Sequence, residues 1–176
     1  FILLRNDSRR GTVYNHRKGV EAHPQDKEDI VVHLDGDDWF YNNEVLERVY
    51  KVYRETECWL TYGSYESTTG DPCVAREYSG DPRQAVRDGW PFSHLRTFKR
   101  FLWDLLEDHN FKDSSGEYYS AAADVVIFVP ILEKISYSKV KFIKEPLVVY
   151  NLSTQNNEHK TMLSEQVKVA LDVIKR

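Results

Sequence analysis

The chain has 176 residues, a formal charge of −4, and is 41% hydrophobic and 30% charged. That length suffices for one domain with a real core, so residues 1–176 are read as a single unit. There is no long basic run, which argues against nucleic acid as a main partner, because phosphate neutralisation needs clustered Lys and Arg. No apolar run approaches the ~20 residues that span a bilayer, so no transmembrane segment is expected.

The two cysteines, Cys58 and Cys73, make neither a disulfide scaffold nor a zinc-ligand set. With no visible signal peptide, they fit a reducing, cytoplasmic compartment. Aromatics are frequent at 13%, with 11 Tyr and 4 Trp. Such rings either pack a core or line clefts for flat-faced polar ligands.

In chain order, Phe1–Leu4 reads as a short strand and Asn6–Gly11 as a polar turn. Thr12–Ala22 is a predicted helix with Thr12 as its cap. His23–Lys27 is a loop, and Ile30–Leu34 a β-rich run of buried type. A helix follows, capped by Asn42 or Asn43, with Val45, Leu46, Val49, Tyr50 and Tyr53 as its apolar stripe. Trp59–Tyr65 is a second strand, and the alternation points to an α/β layer fold with parallel strands.

Glu66–Pro91 has no period and reads as a long loop, either an active-site lid or a disordered stretch. Ser93–Leu106 is a predicted helix with Leu95, Phe98, Leu102, Leu105 and Leu106 on one side, and Asp113–Gly116 is a turn. Ala121–Ser136 is helical by pattern, with Pro130 either kinking or restarting it. Phe142–Tyr150 is a strand in which Pro146 marks an edge or a break. Thr161–Arg176 closes the chain as a helix.

The most informative segment is Ile30–Val31–Val32–His33–Leu34–Asp35–Gly36–Asp37–Asp38–Trp39. Two carboxylates ~5 Å apart at an effective dielectric of ~20 repel by about 3 kcal/mol. Crowded carboxylates therefore imply either a divalent cation with oxygen ligands or a solvated acidic turn. The buried-looking strand before them and Trp39–Phe40 after them favour the cation, because ligands of open α/β sheets sit beyond the carboxyl ends of strands. In extended backbone Asp35 and Asp37 would face one side and Asp38 the other. An EF-hand is excluded, since Gly36 falls between the first two Asp rather than at the sixth loop position. A two-metal phosphoryl or nucleotidyl transferase site stays open.

His-Leu-Asp-Gly-Asp-Asp-Trp-Phe, preceded by Glu-Asp-Ile-Val-Val, resembles the DxD segment of nucleotide-sugar glycosyltransferases of family 2, which have the GT-A fold. The resemblance runs on through Arg9–Ala22, Asn42–Glu66, Phe92–Trp103, Ala121–Glu133 and Glu145–Lys160, in the family's order. It implies an α/β, GT-A-type (Rossmann-like) mixed sheet flanked by helices. It also implies transfer of a sugar, with inversion, from a UDP-sugar donor to a glycan or other hydroxyl acceptor, with Mn2+ or Mg2+ as cofactor.

In that picture Asp35, Asp37 and Asp38 serve the donor, and Asp37 ligates the metal. His159 in Asn-Asn-Glu-His-Lys completes the metal shell, or is an exposed bystander. Arg96 binds the donor diphosphate or the acceptor, or makes an ordinary salt bridge, and His94 lines the same cleft. Asp124 is the expected catalytic base, flanked by apolar residues of the kind that raise a carboxyl pKa. Alternatively it caps its helix. Trp39 and Trp90 could stack on a sugar, and Arg9 and Arg10 could reach phosphates, though core packing and a solvated turn serve those residues equally.

The family's opening strand and helix, which hold the nucleobase, have no counterpart after Phe1, so the N-terminal nucleobase-binding part is expected to be missing. Two rival readings keep the same residues. One is a nucleotidyltransferase using the acidic pair, and the other is a non-catalytic module that binds a nucleotide or glycan.

Overall fold

The computed structural model describes residues 2–22, 26–154 and 162–176. The strands are β1 (Ile30–His33), β2 (Trp39–Phe40), β3 (Leu60–Ser67), β4 (Arg96–Lys99) and β5 (Val140–Tyr150). The helices are α1 (Thr12–Glu21), α2 (Val45–Thr56), α3 (Pro82–Arg87), α4 (Ala123–Lys134) and α5 (Leu163–Val173). Among the described residues the strands form one mixed sheet in the order β1-β4-β3-β5-β2. The chain is thus a mixed α/β fold. The expected parallel pairing is present between β3 and β5, and the sheet is mixed: β4 pairs antiparallel with both β1 and β3, and β2 pairs antiparallel with β5.

Both faces of the sheet are covered. On one side lies α4, buried almost all round from Val125 to Leu132, with α1 and α5 beside it. On the other lies α2, whose Val45, Val49 and Tyr53 pack with Leu95, Leu147 and Val148. β1 shows the period-2 logic directly. Val31 faces the α4 layer, whereas Ile30, Val32 and Leu34 face α2. Leu46 and Tyr50, expected on the apolar stripe of α2, are instead about half exposed at 49% and 56%.

Ser93–Leu106 is not a helix. It forms β4 and then a 3-10 turn, Arg100–Leu105. The spacing of Leu95, Phe98 and Leu102 imitates a helical stripe, but Leu95 and Phe98 belong to opposite faces, as strand alternation requires. A strand buried on both faces carries no one-sided pattern from which the sequence could have been read. Ile2–Leu4 form no strand and are exposed.

The segment 66–91 is shorter as a loop than its composition implies. Glu66 and Ser67 extend β3, and Asp81 caps α3 by accepting the Arg83 N–H at 2.8 Å, with Pro82 at the first helical position. The rest is held to the body: the Tyr62 hydroxyl donates to Arg76 O at 2.9 Å and accepts from the Tyr78 N–H at 3.0 Å.

Pro146 does mark a break. It sits opposite Ser64, where the β3–β5 register shifts, and β5 is interior rather than an edge. Pro130 lies inside α4, which continues through it to Lys134. At Gly63 a Cβ would lie 2.5 Å from Leu147 Cδ1 and 3.2 Å from His94 O, so a side chain there would displace Leu147 and crowd the His94 carbonyl. No helix among the described residues is long and apolar enough to cross a membrane.

Candidate metal centre and adjoining cleft

Strand register builds the site. β1 and β4 pair with His33 opposite Arg96. Two residues further along the same antiparallel register, Asp35 comes opposite His94. β2 pairs with β5 with Trp39 opposite Val149, so Asp38 arrives beside the carboxyl end of β5. There its Oδ1 accepts the Asn151 N–H at 2.8 Å. Three strand ends therefore converge at one rim of the sheet, beyond the carboxyl ends of β1, β3 and β5.

The acidic segment is a turn rather than extended backbone, closed by the Asp38 N–H donating to Asp35 O at 3.1 Å. This overturns the expected sidedness. Asp35 and Asp38 come together with His94, one ligand atom from each lying within 4.8 Å of the others. Asp37 is outside this group, and its Oδ2 accepts from the Thr154 hydroxyl at 3.2 Å. His94 Nδ1 stands 3.8 Å from Asp35 Oδ2 and 3.8 Å from Asp38 Oδ2, too far for a hydrogen bond to either.

His94 Nδ1 and Asp38 Oδ2 are both buried, with no hydrogen-bond partner among the described residues. Buried polar atoms without partners are rare and call for an explanation. An ion held by all three groups supplies one. The ligands of an octahedral ion with bonds of about 2.1 Å lie ~3 to ~4.2 Å apart; the two His94 separations of 3.8 Å fall inside that span, whereas the 4.8 Å limit of the whole group exceeds it, so the cradle would tighten on an ion.

The electrostatics suit the same role. Burial, and secondarily Arg96, hold His94 well below the usual imidazole range, so its ring is neutral and has a lone pair to give. Its orientation is set by stacking on Tyr150, with ring centroids 4.9 Å apart. Burial pushes Asp38 up to about 6; the Asn151 N–H opposes the rise, and Asp35 and Asp37 add to it. A carboxylate so destabilised gains from a cation more than an exposed one does.

Sequence reasoning missed His16 and His33. His16, on α1, places Nε2 3.9 Å from Asp35 Oδ1, and its Nδ1 is 3.2 Å from His33 Nδ1. Burial lowers the pKa of both rings, Asp35 opposing it at His16 and the His16 charge reinforcing it at His33. The carboxylate favours a proton on His16 Nε2, which leaves a neutral His16 to accept at Nδ1 the proton-bearing Nδ1 of His33. His16, itself bonded to His33, thus stands beside Asp35 without a direct hydrogen bond to it. The signal for His33 was a lone histidine in an apolar strand; nothing in the spacing of α1 marked His16.

Next to this rim lies a cleft of about 690 Å³, which His94 lines together with Arg96 and Asp124. Asp124 sits in the first turn of α4, yet it does not cap the helix. The N-cap is Ala122, in left-handed backbone at φ 54°, and no side chain bonds the helix end. Instead Asp124 Oδ2 lies 3.4 Å from the guanidinium of Arg96, which is 7% exposed and also donates to Phe92 O at 3.4 Å.

The segment 66–91 forms one wall of the cleft through Thr69–Val74 and Gly89–Trp90. Trp90 lies at the wall, tilted on Phe92. Trp39 is half exposed on the outer strand β2, and neither it nor the Arg pair near the N-terminus lines the cleft. Arg9 donates to Met162 Sδ, and Arg10 lies over the Tyr14 ring. His159 lies outside the described residues. Cys58 is buried and Cys73 partly so, both as free thiols.

Neither the models of known protein families nor the curated proteins yield a match to this chain.

Proposed function

We propose that this chain carries the catalytic residues of an inverting, metal-dependent glycosyltransferase that moves a sugar from a UDP-sugar to an acceptor hydroxyl. The observation that carries the reading is the juxtaposition of Asp35, Asp38 and His94 with a cleft containing an Arg96–Asp124 pair. The likeness of the ordered segments to family 2 supplies the donor class.

Asp35, Asp38 and His94 would hold the cation. Two carboxylates and an imidazole suit Mn2+ better than Mg2+, which prefers an all-oxygen octahedron. When bound, the cation supplies positive charge to the departing diphosphate. Asp37, exposed and bonded to Thr154, is left to meet the donor rather than the ion.

Asp124 takes the proton of the acceptor hydroxyl as that oxygen attacks the anomeric carbon. Arg96 fixes the carboxylate with one guanidinium nitrogen, leaving the other Asp124 oxygen for the acceptor. A nucleotidyltransferase of the two-metal type would ask the same residues to gather a second ion, and among the described residues the cluster offers a single cradle.

The test is Asp124→Asn with Mn2+ and a panel of UDP-sugars. Transfer should fall about 100- to 10,000-fold, while Mn2+-dependent UDP binding persists. Unchanged transfer removes Asp124 from the base role, and nucleotide rather than sugar appearing on the acceptor would establish the rival chemistry.

A further inference from the structure

The cleft beside the metal centre is chemically lopsided. Its inner end holds Arg96, Asp124, His94 and Ser93, whereas its flanks are aliphatic and aromatic: Val74, Trp90, Val125, Leu163, Val167 and Ala170. Two of the flanking residues come from successive turns of α5, where Leu163 and Val167 are 51% and 50% exposed, and Val74 of the loop wall is 55% exposed. These are large apolar groups left exposed in the cleft lining. The polar groups along the walls are few: Thr69, which donates to Asp71 at 2.5 Å, Asp71 itself, and Gln166 on α5.

A hydroxyl-dense glycan laid along such walls would leave its hydroxyls unpaired, which is unfavourable. A hydrocarbon body gains from the same walls. The volume, about 690 Å³, falls within the ~300–1,000 Å³ of small-molecule sites.

We propose that the cleft binds an amphiphilic acceptor: a hydroxyl-bearing head seated at the Arg96–Asp124 end and an aliphatic body running out between α5 and the 69–74 wall. The inference rests on the glycosyltransferase reading for the word acceptor, but the amphiphile preference stands on the lining alone. The head hydroxyl meets the free oxygen of Asp124, and the body buries Val167, Leu163 and Val74 as it leaves.

The experiment is calorimetric titration of the chain with methyl, hexyl and octyl β-glucosides below their micelle concentrations, with Mn2+-dependent UDP binding measured alongside. Affinity should rise about fourfold for each methylene that reaches the wall, and so at least tenfold from methyl to octyl. Val167→Asp and Leu163→Asp, both at half-exposed positions that a charge can occupy without unfolding the helix, should return octyl glucoside to the affinity of methyl glucoside. Leu171→Asp, on the same helix but outside the lining, should leave the gradient intact.

Equal affinity across the series overturns the proposal, because the cleft then takes a polar ligand. A gradient that survives both cleft variants also overturns it, because the chains are adsorbing elsewhere. Loss of UDP binding with the gradient intact would defeat the sugar-transfer reading and leave the amphiphile site standing.

Discussion

Replacing Asp38 by Asn separates the electrostatics of the metal centre from its packing. The amide keeps a carbonyl oxygen for the Asn151 N–H and removes only the charge. An ordinary aspartate titrates near 3.8, and Asp38 near 6. Between those values the folded chain holds a proton that the unfolded chain has lost. The stability this contributes is complete only below the ordinary value, at about pH 3, and is lost as pH rises through about 6. At about 1.36 kcal/mol per pH unit the loss is about 3 kcal/mol.

The buried histidines His16, His33 and His94 have lowered values, so their own contribution has the opposite sign, rising with pH towards the ordinary imidazole range. A difference measurement cancels them. Urea denaturation of wild type and Asp38→Asn, free of metal, should be run from pH 4 to 7. Wild-type stability minus variant stability should fall by about 2 kcal/mol across that range, the rest of the effect lying below pH 4.

Adding Mn2+ should reverse the deficit. At 100 times its dissociation constant a ligand that binds only the folded state stabilises by about 2.7 kcal/mol, and wild type should gain this at pH 7 while the variant gains far less. A difference flat with pH would mean that Asp38 is not desolvated. Equal stabilisation of both proteins by Mn2+ would place the ion elsewhere.

Two further outcomes follow from the same geometry. His16→Ala removes the ring 3.9 Å from Asp35 without touching the three candidate ligands, and Mn2+ affinity measured by calorimetry should drop by less than the roughly tenfold seen when a group hydrogen-bonded to a metal ligand is lost. Thr97→Val deletes the middle of a buried hydroxyl chain in which Thr97 Oγ1 lies 2.9 Å from the Tyr53 hydroxyl and 2.7 Å from Thr61 Oγ1. It should cost about 1–3 kcal/mol in chemical denaturation, and a double-mutant cycle with Thr61→Val should be clearly non-additive.

What the sequence made legible follows from how local each signal is. The strand before the acidic turn, the helix with Val45, Val49 and Tyr53, and the helix bearing Asp124 all have patterns that one segment carries by itself. β4 was illegible for a physical reason. It is buried on both faces, so its apolar residues follow no one-sided rule, and Leu95, Phe98 and Leu102 happen to fall at helical spacing. The division of labour among Asp35, Asp37 and Asp38 was illegible because it depends on one backbone bond, from the Asp38 N–H to Asp35 O, which turns an extended segment back on itself.

The same contrast explains why the candidate metal ligands gather where they do. Asp35 follows β1, Asp38 precedes β2 and His94 precedes β4, and each reaches the rim because its strand pairs in a fixed register with a neighbour. A one-residue slip in β4 would turn His94 to the other face and break the cluster. Register there is held by side chains far from the chemistry: the Thr61–Thr97–Tyr53 hydroxyl chain locks β4 to β3 and α2, and Gly63 admits the His94 carbonyl against β3. Loss of that buried chain should therefore reach the rim. Thr97→Val that weakens Mn2+ binding as well as stability would show that register, and not ligand identity alone, sets the affinity of the site.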